Sequence, residues 1–92
     1  GVHECTTTGV IGSRYVYRCA PGGTLGLVWG TDVYTHDSSI CTAALHAARI
    51  TQPAGGVVTI QMAPAQDSYA ASTRNGVTSN SYGPWGCSFF FP

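Results

Sequence analysis

A chain of 92 residues has room for one domain with a modest core, and the reading over residues 1–92 is a single domain. Four acids (Glu4, Asp32, Asp37, Asp67) face four arginines (Arg14, Arg18, Arg49, Arg74), with no lysine. That balance provides no long-range field to attract DNA, RNA or an anionic membrane. The aromatic and β-branched content argues for a packed fold rather than disorder. Solubility must come from Ser, Thr, Asn and Gln, which suits an extracellular or cell-surface protein and protects weakly against self-association. No segment reaches the ~20 apolar residues a membrane helix needs. The chain opens at Gly1 rather than Met and reads as a mature fragment without its export signal, or as an excised domain.

The cysteines are Cys5, Cys19, Cys41 and Cys87. An even number in a short chain, without a C-x-x-C pair, points to disulfides in an oxidising compartment rather than to zinc. Spacing alone leaves all three pairings open.

In chain order, residues 1–12 are rich in Thr and Gly. Arg14 to Arg18 alternates charged with aromatic or aliphatic residues and reads as a strand. Ala20-Pro21-Gly22-Gly23 is a turn. Leu25 to Gly30 is a second strand candidate, and Asp32 to Thr35 a third, shorter one. Asp37-Ser38-Ser39 offers helix-capping oxygens. Ile40 to Arg49 follows without Gly or Pro, with Ile40, Ala43, Ala44 and Ala47 on one face and Cys41, Leu45 and Ala48 on the next. Apolar residues around most of the circumference predict a helix buried on most sides, ended by Pro53-Ala54-Gly55-Gly56. Val57 to Met62 is the strongest strand, and Asp67 to Tyr69 a short candidate. Asn75-Gly76 signals a tight turn, and Trp85 to Phe91 reads as an aromatic closing strand. One helix among short strands makes the fold α+β.

The run Val28-Trp29-Gly30-Thr31-Asp32-Val33-Tyr34-Thr35-His36-Asp37-Ser38-Ser39-Ile40-Cys41 resembles the signature of the LCCL family. Ala43-Ala44-Leu45-His46, Gly55-Gly56-Val57-Val58, Arg74-Asn75-Gly76-Val77, Tyr82-Gly83 and Trp85 to Phe89 continue that resemblance in order, from about Cys5 to the end of the chain. It implies one central helix wrapped by short strands, an extracellular setting, no catalysis, and binding of lipopolysaccharide or lipid in some members. It also implies a Cys5–Cys19 bridge. The helix cysteine's usual partner is missing near Thr24 or Leu25, so Cys41–Cys87 is the second bridge expected.

Candidate sites follow. A Ser-His-Asp relay drawn from Asp32 or Asp37 and His36 or His46 has no G-x-S-x-G elbow, so His46 reads as a packed core residue, and Asp37 and Ser39 as the helix cap. Asp32, His36 and Asp37 match no metal spacing, and no metal or cofactor is expected. Arg14 and Arg18 share one strand face with Val16 and are candidate contacts for a phosphate or sugar. Trp29, Tyr34, Tyr69, Tyr82, Trp85 and Phe89–Phe91 include enough rings for a stacking surface for sugars or acyl chains. Aromatics in so small a domain are more often core, so Trp29 and Trp85 are assigned there. Side chains alternate along a strand, so Phe90 points opposite Phe89, and with Phe91 it is a candidate contact for another chain or an apolar ligand. The expected function is a non-catalytic extracellular module binding a glycolipid, a polysaccharide or a matrix or cell-surface protein. The alternative is a self-associating subunit of an extracellular assembly.

Overall fold

The computed structural model describes residues 11–92. The elements are β1 (Arg14–Cys19), β2 (Gly30–Thr31), β3 (Val33–Thr35), α1 (Ile40–His46), β4 (Gly56–Ala63), β5 (Thr73–Arg74), β6 (Val77–Thr78) and β7 (Ser88–Phe90). Five strands form one sheet in the order β1-β4-β7-β3-β2, antiparallel at every pairing. The fold is α+β: among the described residues one helix packs against one face of the sheet, and β5–β6 forms a separate hairpin.

The period-2 pattern of β4 fixes which face is core. Val58, Ile60 and Met62 are buried, while Val57 is exposed. Met62 pairs with Phe89, and Phe89 with Tyr34, so a row of large side chains crosses three strands on the face that meets Ala43 and Ala44 of the helix. Each such side chain contributes about 1.5–3 kcal/mol on burial. The opposite face carries a second row in direct register, Arg14–Gln61–Phe90–Val33–Thr31. None of its members is fully buried.

The helix is shorter than its sequence suggests. It ends at His46, with Ala47 as C-cap and Ala48 at φ 59°, although no Gly or Pro stops it there. Ser39 is the N-cap, its hydroxyl accepting from the Thr42 N–H. Asp37 is not the cap; it lies two residues earlier, exposed. The helix is buried at Thr42, Ala43, Ala44 and His46, whereas Leu45 is half-buried and Ala48 exposed. It is therefore less enclosed than expected on the Leu45–Ala48 side, although Cys41 on the same face is tied to β1 through Cys19.

Of the stretch Leu25 to Gly30 only its end is strand: Gly30 opens β2 and Trp29 makes an isolated bridge, while Leu25 to Val28 is irregular. Its backbone groups bond instead to the start of the helix: the Gly26 N–H donates to Thr42 Oγ1, the Trp29 N–H to Ser38 Oγ, and the Ser39 N–H to the Leu27 carbonyl. Gly26 is needed for this approach, since a Cβ there would lie 2.8 Å from Ser39 Cβ. Asp67 to Tyr69 contributes only an isolated bridge, Tyr69 to Tyr82. Asn75 and Gly76 both have positive φ and close the β5–β6 hairpin, the geometry an Asn-Gly turn favours.

The disulfide pairing differs from the one the resemblance implies. Cys19 bonds to Cys41, with Cα atoms 5.6 Å apart. Cys19 ends β1 on the core face opposite Gly56, and Cys41 lies in the first turn of the helix. Neither Cys5–Cys19 nor Cys41–Cys87 can therefore form. Cys87 is itself disulfide-bonded and buried. Cys5 and the Thr6-Thr7-Thr8 run lie outside the described residues.

Candidate functional site: an aromatic cleft at the sheet edge

Trp29 stands just before β2, Thr35 ends β3, and Asp37 lies in the turn before the helix. Tyr82 and Trp85 come from the connection between β6 and β7. These five residues line one cleft of about 210 Å³. The loop carrying Tyr82 and Trp85 is fixed by its backbone. The Tyr69 N–H donates to the Tyr82 carbonyl at 2.8 Å, the Tyr82 N–H returns to Tyr69 at 3.1 Å, and the Trp85 N–H reaches the Gln66 carbonyl. Buried Tyr69 and Ser88 hydrogen-bond beneath it. Trp29 is held from its other side by Ser38 and by its bridge to Asn80.

The rings are mutually oriented. Tyr82 meets Trp85 edge-on with centroids 5.3 Å apart, and His36 stacks on Trp85 at 5.9 Å. The Trp85 indole N–H donates to His36 Nδ1 at 2.8 Å. Trp29 and Trp85 are half-buried and Tyr82 is exposed. Trp29 and Trp85 are thus not enclosed core residues; each presents part of its surface to the cleft. Tyr34 and Tyr69, in contrast, are core. On the far side of Tyr82 and Trp85 lies a shallower depression of about 420 Å³ that includes Asp67. Another depression, of about 340 Å³, runs past Leu25, Leu45, Ile50 and Val77 and contains no aromatic ring.

The other candidates lie elsewhere. Arg14 and Arg18 are exposed on β1, three strand positions from β3, or about 14 Å at the usual strand spacing. The cleft therefore cannot include them, and Arg14 donates to Gln61 on its own sheet face. Phe90 is half-buried on that open face. Phe91 is not available as a contact. It is 7 % exposed and packs edge-on against Tyr34 and Phe89, because the pleat returns it to the core side.

His46 is fully buried between two hydroxyls, with Tyr34 Oη 2.9 Å from Nδ1 and Ser72 Oγ 3.0 Å from Nε2. The spacing imitates a serine–histidine pair, but the proton assignment opposes it. Nε2 also faces the Ser72 carbonyl, which only accepts. The consistent tautomer therefore carries its proton on Nε2 and accepts the Tyr34 hydroxyl at Nδ1. A ring protonated at Nε2 cannot take the serine proton. Burial pushes the Tyr34 hydroxyl pKa above its ordinary value, which keeps this donor in place. Asp32 forms an ion pair with Arg74 at 2.7 Å, and His36 Nδ1 is taken by Trp85. Among the described residues no group of three or more His, Cys, Asp and Glu is arranged to hold a metal ion.

Sequence reasoning missed the partnership of His36 with Trp85. Nothing in the sequence signals it, since 49 positions separate the two. Tyr82 and Trp85 were legible as aromatic residues, and their convergence with Trp29 is tertiary.

A sequence profile described as LCCL domain matches residues 2–89. The chain is 43 % identical over 56 residues, 61 % of its length, to cysteine-rich secretory protein LCCL domain-containing 2 of Homo sapiens. It is 34 % identical over 82 residues, 87 % of its length, to human vitrin. It is 35 % identical over 71 residues, 75 % of its length, to clotting factor C of Tachypleus tridentatus. These matches cover 11 %, 12 % and 7 % of the respective relatives, so the chain corresponds to one module of much longer proteins. No helix among the described residues is long and apolar enough to cross a membrane. With a helix on an antiparallel sheet and a profile match along nearly its whole length, the chain belongs to the LCCL domain family.

Proposed function

We propose that this chain is a non-catalytic extracellular binding module whose ligand, a glycan or the head group of a glycolipid, occupies the cleft between Trp29, Tyr82 and Trp85. The observation that supports it is the convergence of three incompletely buried rings on one cleft. In most small domains such rings close over one another, because burying them is favourable. Rings left facing a cleft provide flat apolar surfaces for stacking, with Thr35 and Asp37 beside them. The disulfide fits an oxidising, extracytoplasmic setting. The test is a titration of intrinsic tryptophan fluorescence with a glycan panel, repeated on Trp85→Ala. Saturable quenching that the variant loses supports the reading; a flat response across the panel with the folded chain contradicts it.

The open sheet face favours a second reading, self-association. Exposed Val16 and Val57 and half-buried Phe90 and Val33 share that face, and the helix packs on the other side. Sedimentation of the chain with and without Phe90→Ser decides it. A concentration-dependent dimer that the variant abolishes supports this second reading, and a monomer in both rejects it.

A further inference from the structure

We infer that the Trp29–Tyr82–Trp85 cleft is selective for a compact organic cation, either a protonated amino sugar or a quaternary ammonium head group, and disfavours anionic ligands. This rests on the binding reading above and narrows it. The charges around the cleft carry the argument. The lining contains one carboxylate, Asp37, and no basic residue. Asp37 is exposed and has no ion-pair partner among the described residues, where the one ion pair is Arg74–Asp32.

The same asymmetry holds next door. The depression across the Tyr82–Trp85 wall contains Asp67 and again no basic residue. Two carboxylates therefore flank one aromatic pair. Each of the four arginines is occupied elsewhere or lies elsewhere, and His36, stacked on Trp85, has its Nδ1 taken by the indole N–H. Arg14 and Arg18 are on β1 at the opposite edge of the sheet, Arg49 donates to the Phe91 carbonyl, and Arg74 pairs with Asp32. There is no lysine. A phosphate or carboxylate in the cleft would meet negative ring faces and a carboxylate with no arginine to offset them.

A cation meets the reverse. The faces of Trp and Tyr rings carry negative potential and attract ammonium groups within about 6 Å of the centroid. Asp37 adds a full charge of the same sign. The cleft, about 210 Å³, holds a head group or a single sugar ring rather than an extended chain. Amino sugar and quaternary ammonium share the chemistry of a cation with apolar faces, and they differ in whether hydroxyls are also recognised.

The test uses the whole chain, followed through the tryptophan indole N–H signals. The probes are choline, its uncharged isostere 3,3-dimethylbutanol, glucosamine at a pH where its amine is protonated, and N-acetylglucosamine. The inference expects choline or glucosamine to bind at least tenfold more tightly than its own neutral counterpart. Choline ahead of glucosamine identifies the ammonium head group, and the reverse identifies the amino sugar. Asp37→Asn, at an exposed position, should weaken the cation at least tenfold more than it weakens the neutral probe, with the chain's melting temperature measured alongside. Equal affinity for charged and neutral members of both pairs overturns the charge selectivity while leaving the binding reading intact. Binding of none of the four, with glycan binding retained elsewhere on the panel, overturns it as well. If neither the panel nor these probes bind, both readings fail together.

Discussion

The Trp85 indole N–H donates to Nδ1 of His36 at 2.8 Å, and the two rings stack with centroids 5.9 Å apart. One contact thus fixes both the tilt and the rotation of the ring that forms a wall of the cleft. His36→Ala removes both constraints. The expected cost in stability is about 1 kcal/mol, the ordinary value of a hydrogen bond. The expected cost in ligand affinity is larger, because Trp85 must then be ordered by the ligand itself. Chemical denaturation beside a binding titration separates the two effects, and a variant that binds as the parent does removes His36 from the account.

Tyr34 and His46 couple the sheet to the helix. The Tyr34 hydroxyl pKa is raised by burial. In the unfolded chain that hydroxyl ionises near its ordinary value, about 10, while the folded form retains its proton to higher pH. Above that point the unfolded state binds fewer protons, so stability falls as pH rises. Unfolding at a series of alkaline pH values should show this decline. Tyr34→Phe should flatten it and, by leaving His46 Nδ1 without its donor, cost about 1–3 kcal/mol at neutral pH. A variant with the parent's alkaline slope would assign that slope to other groups.

The Cys19–Cys41 bridge spans a sequence separation of 22. Chain-entropy estimates for such a loop give about 3 kcal/mol. The double variant Cys19→Ala, Cys41→Ala should lose about that much, and non-reducing peptide mapping should recover a peptide joining the two. A peptide joining Cys5 to Cys19, or Cys41 to Cys87, would refute the pairing.

Ala43 and Ala44 are fully buried, whereas Leu45 is half-buried beside an open depression. Ala44→Asp should therefore prevent folding, since an unpaired buried charge is too costly. Leu45→Asp should leave a folded chain with a lower melting temperature. Equal damage from both would mean that the helix is enclosed on that side too.

How far the sequence reveals this arrangement depends on whether the signal is local. β1, the central part of β4 and the Asn75-Gly76 turn were legible because alternation and positive-φ residues act over a few positions. Helix residues 40–46 were legible, but the helix end was not, because a non-glycine residue, Ala48, adopts a left-handed conformation there. Leu25 to Gly30 looked like a strand, but only Gly30 pairs in the sheet; Gly26, Leu27 and Val28 bond to Thr42, Ser39 and Asn80, which no local pattern records. The pairing drawn from the family resemblance, Cys5–Cys19 with Cys41–Cys87, was wrong, because the fold brings Cys19 at the end of β1 against Cys41 in the first helical turn. The cleft was legible only as a set of aromatic residues. Its assembly depends on Trp29 meeting a loop more than 50 positions later, and its lack of basic residues depends on where the folded chain sends each arginine.

The most direct measurement is a two-dimensional NMR titration of the whole chain with choline or glucosamine, whichever binds more tightly. If the cleft is the binding site, the indole N–H signals of Trp29 and Trp85 and the amides around Asp37 and Tyr82 shift first and saturate together. Saturable shifts confined to Arg14, Val16 and Arg18 on the open sheet face, with both indole signals unmoved, would contradict it.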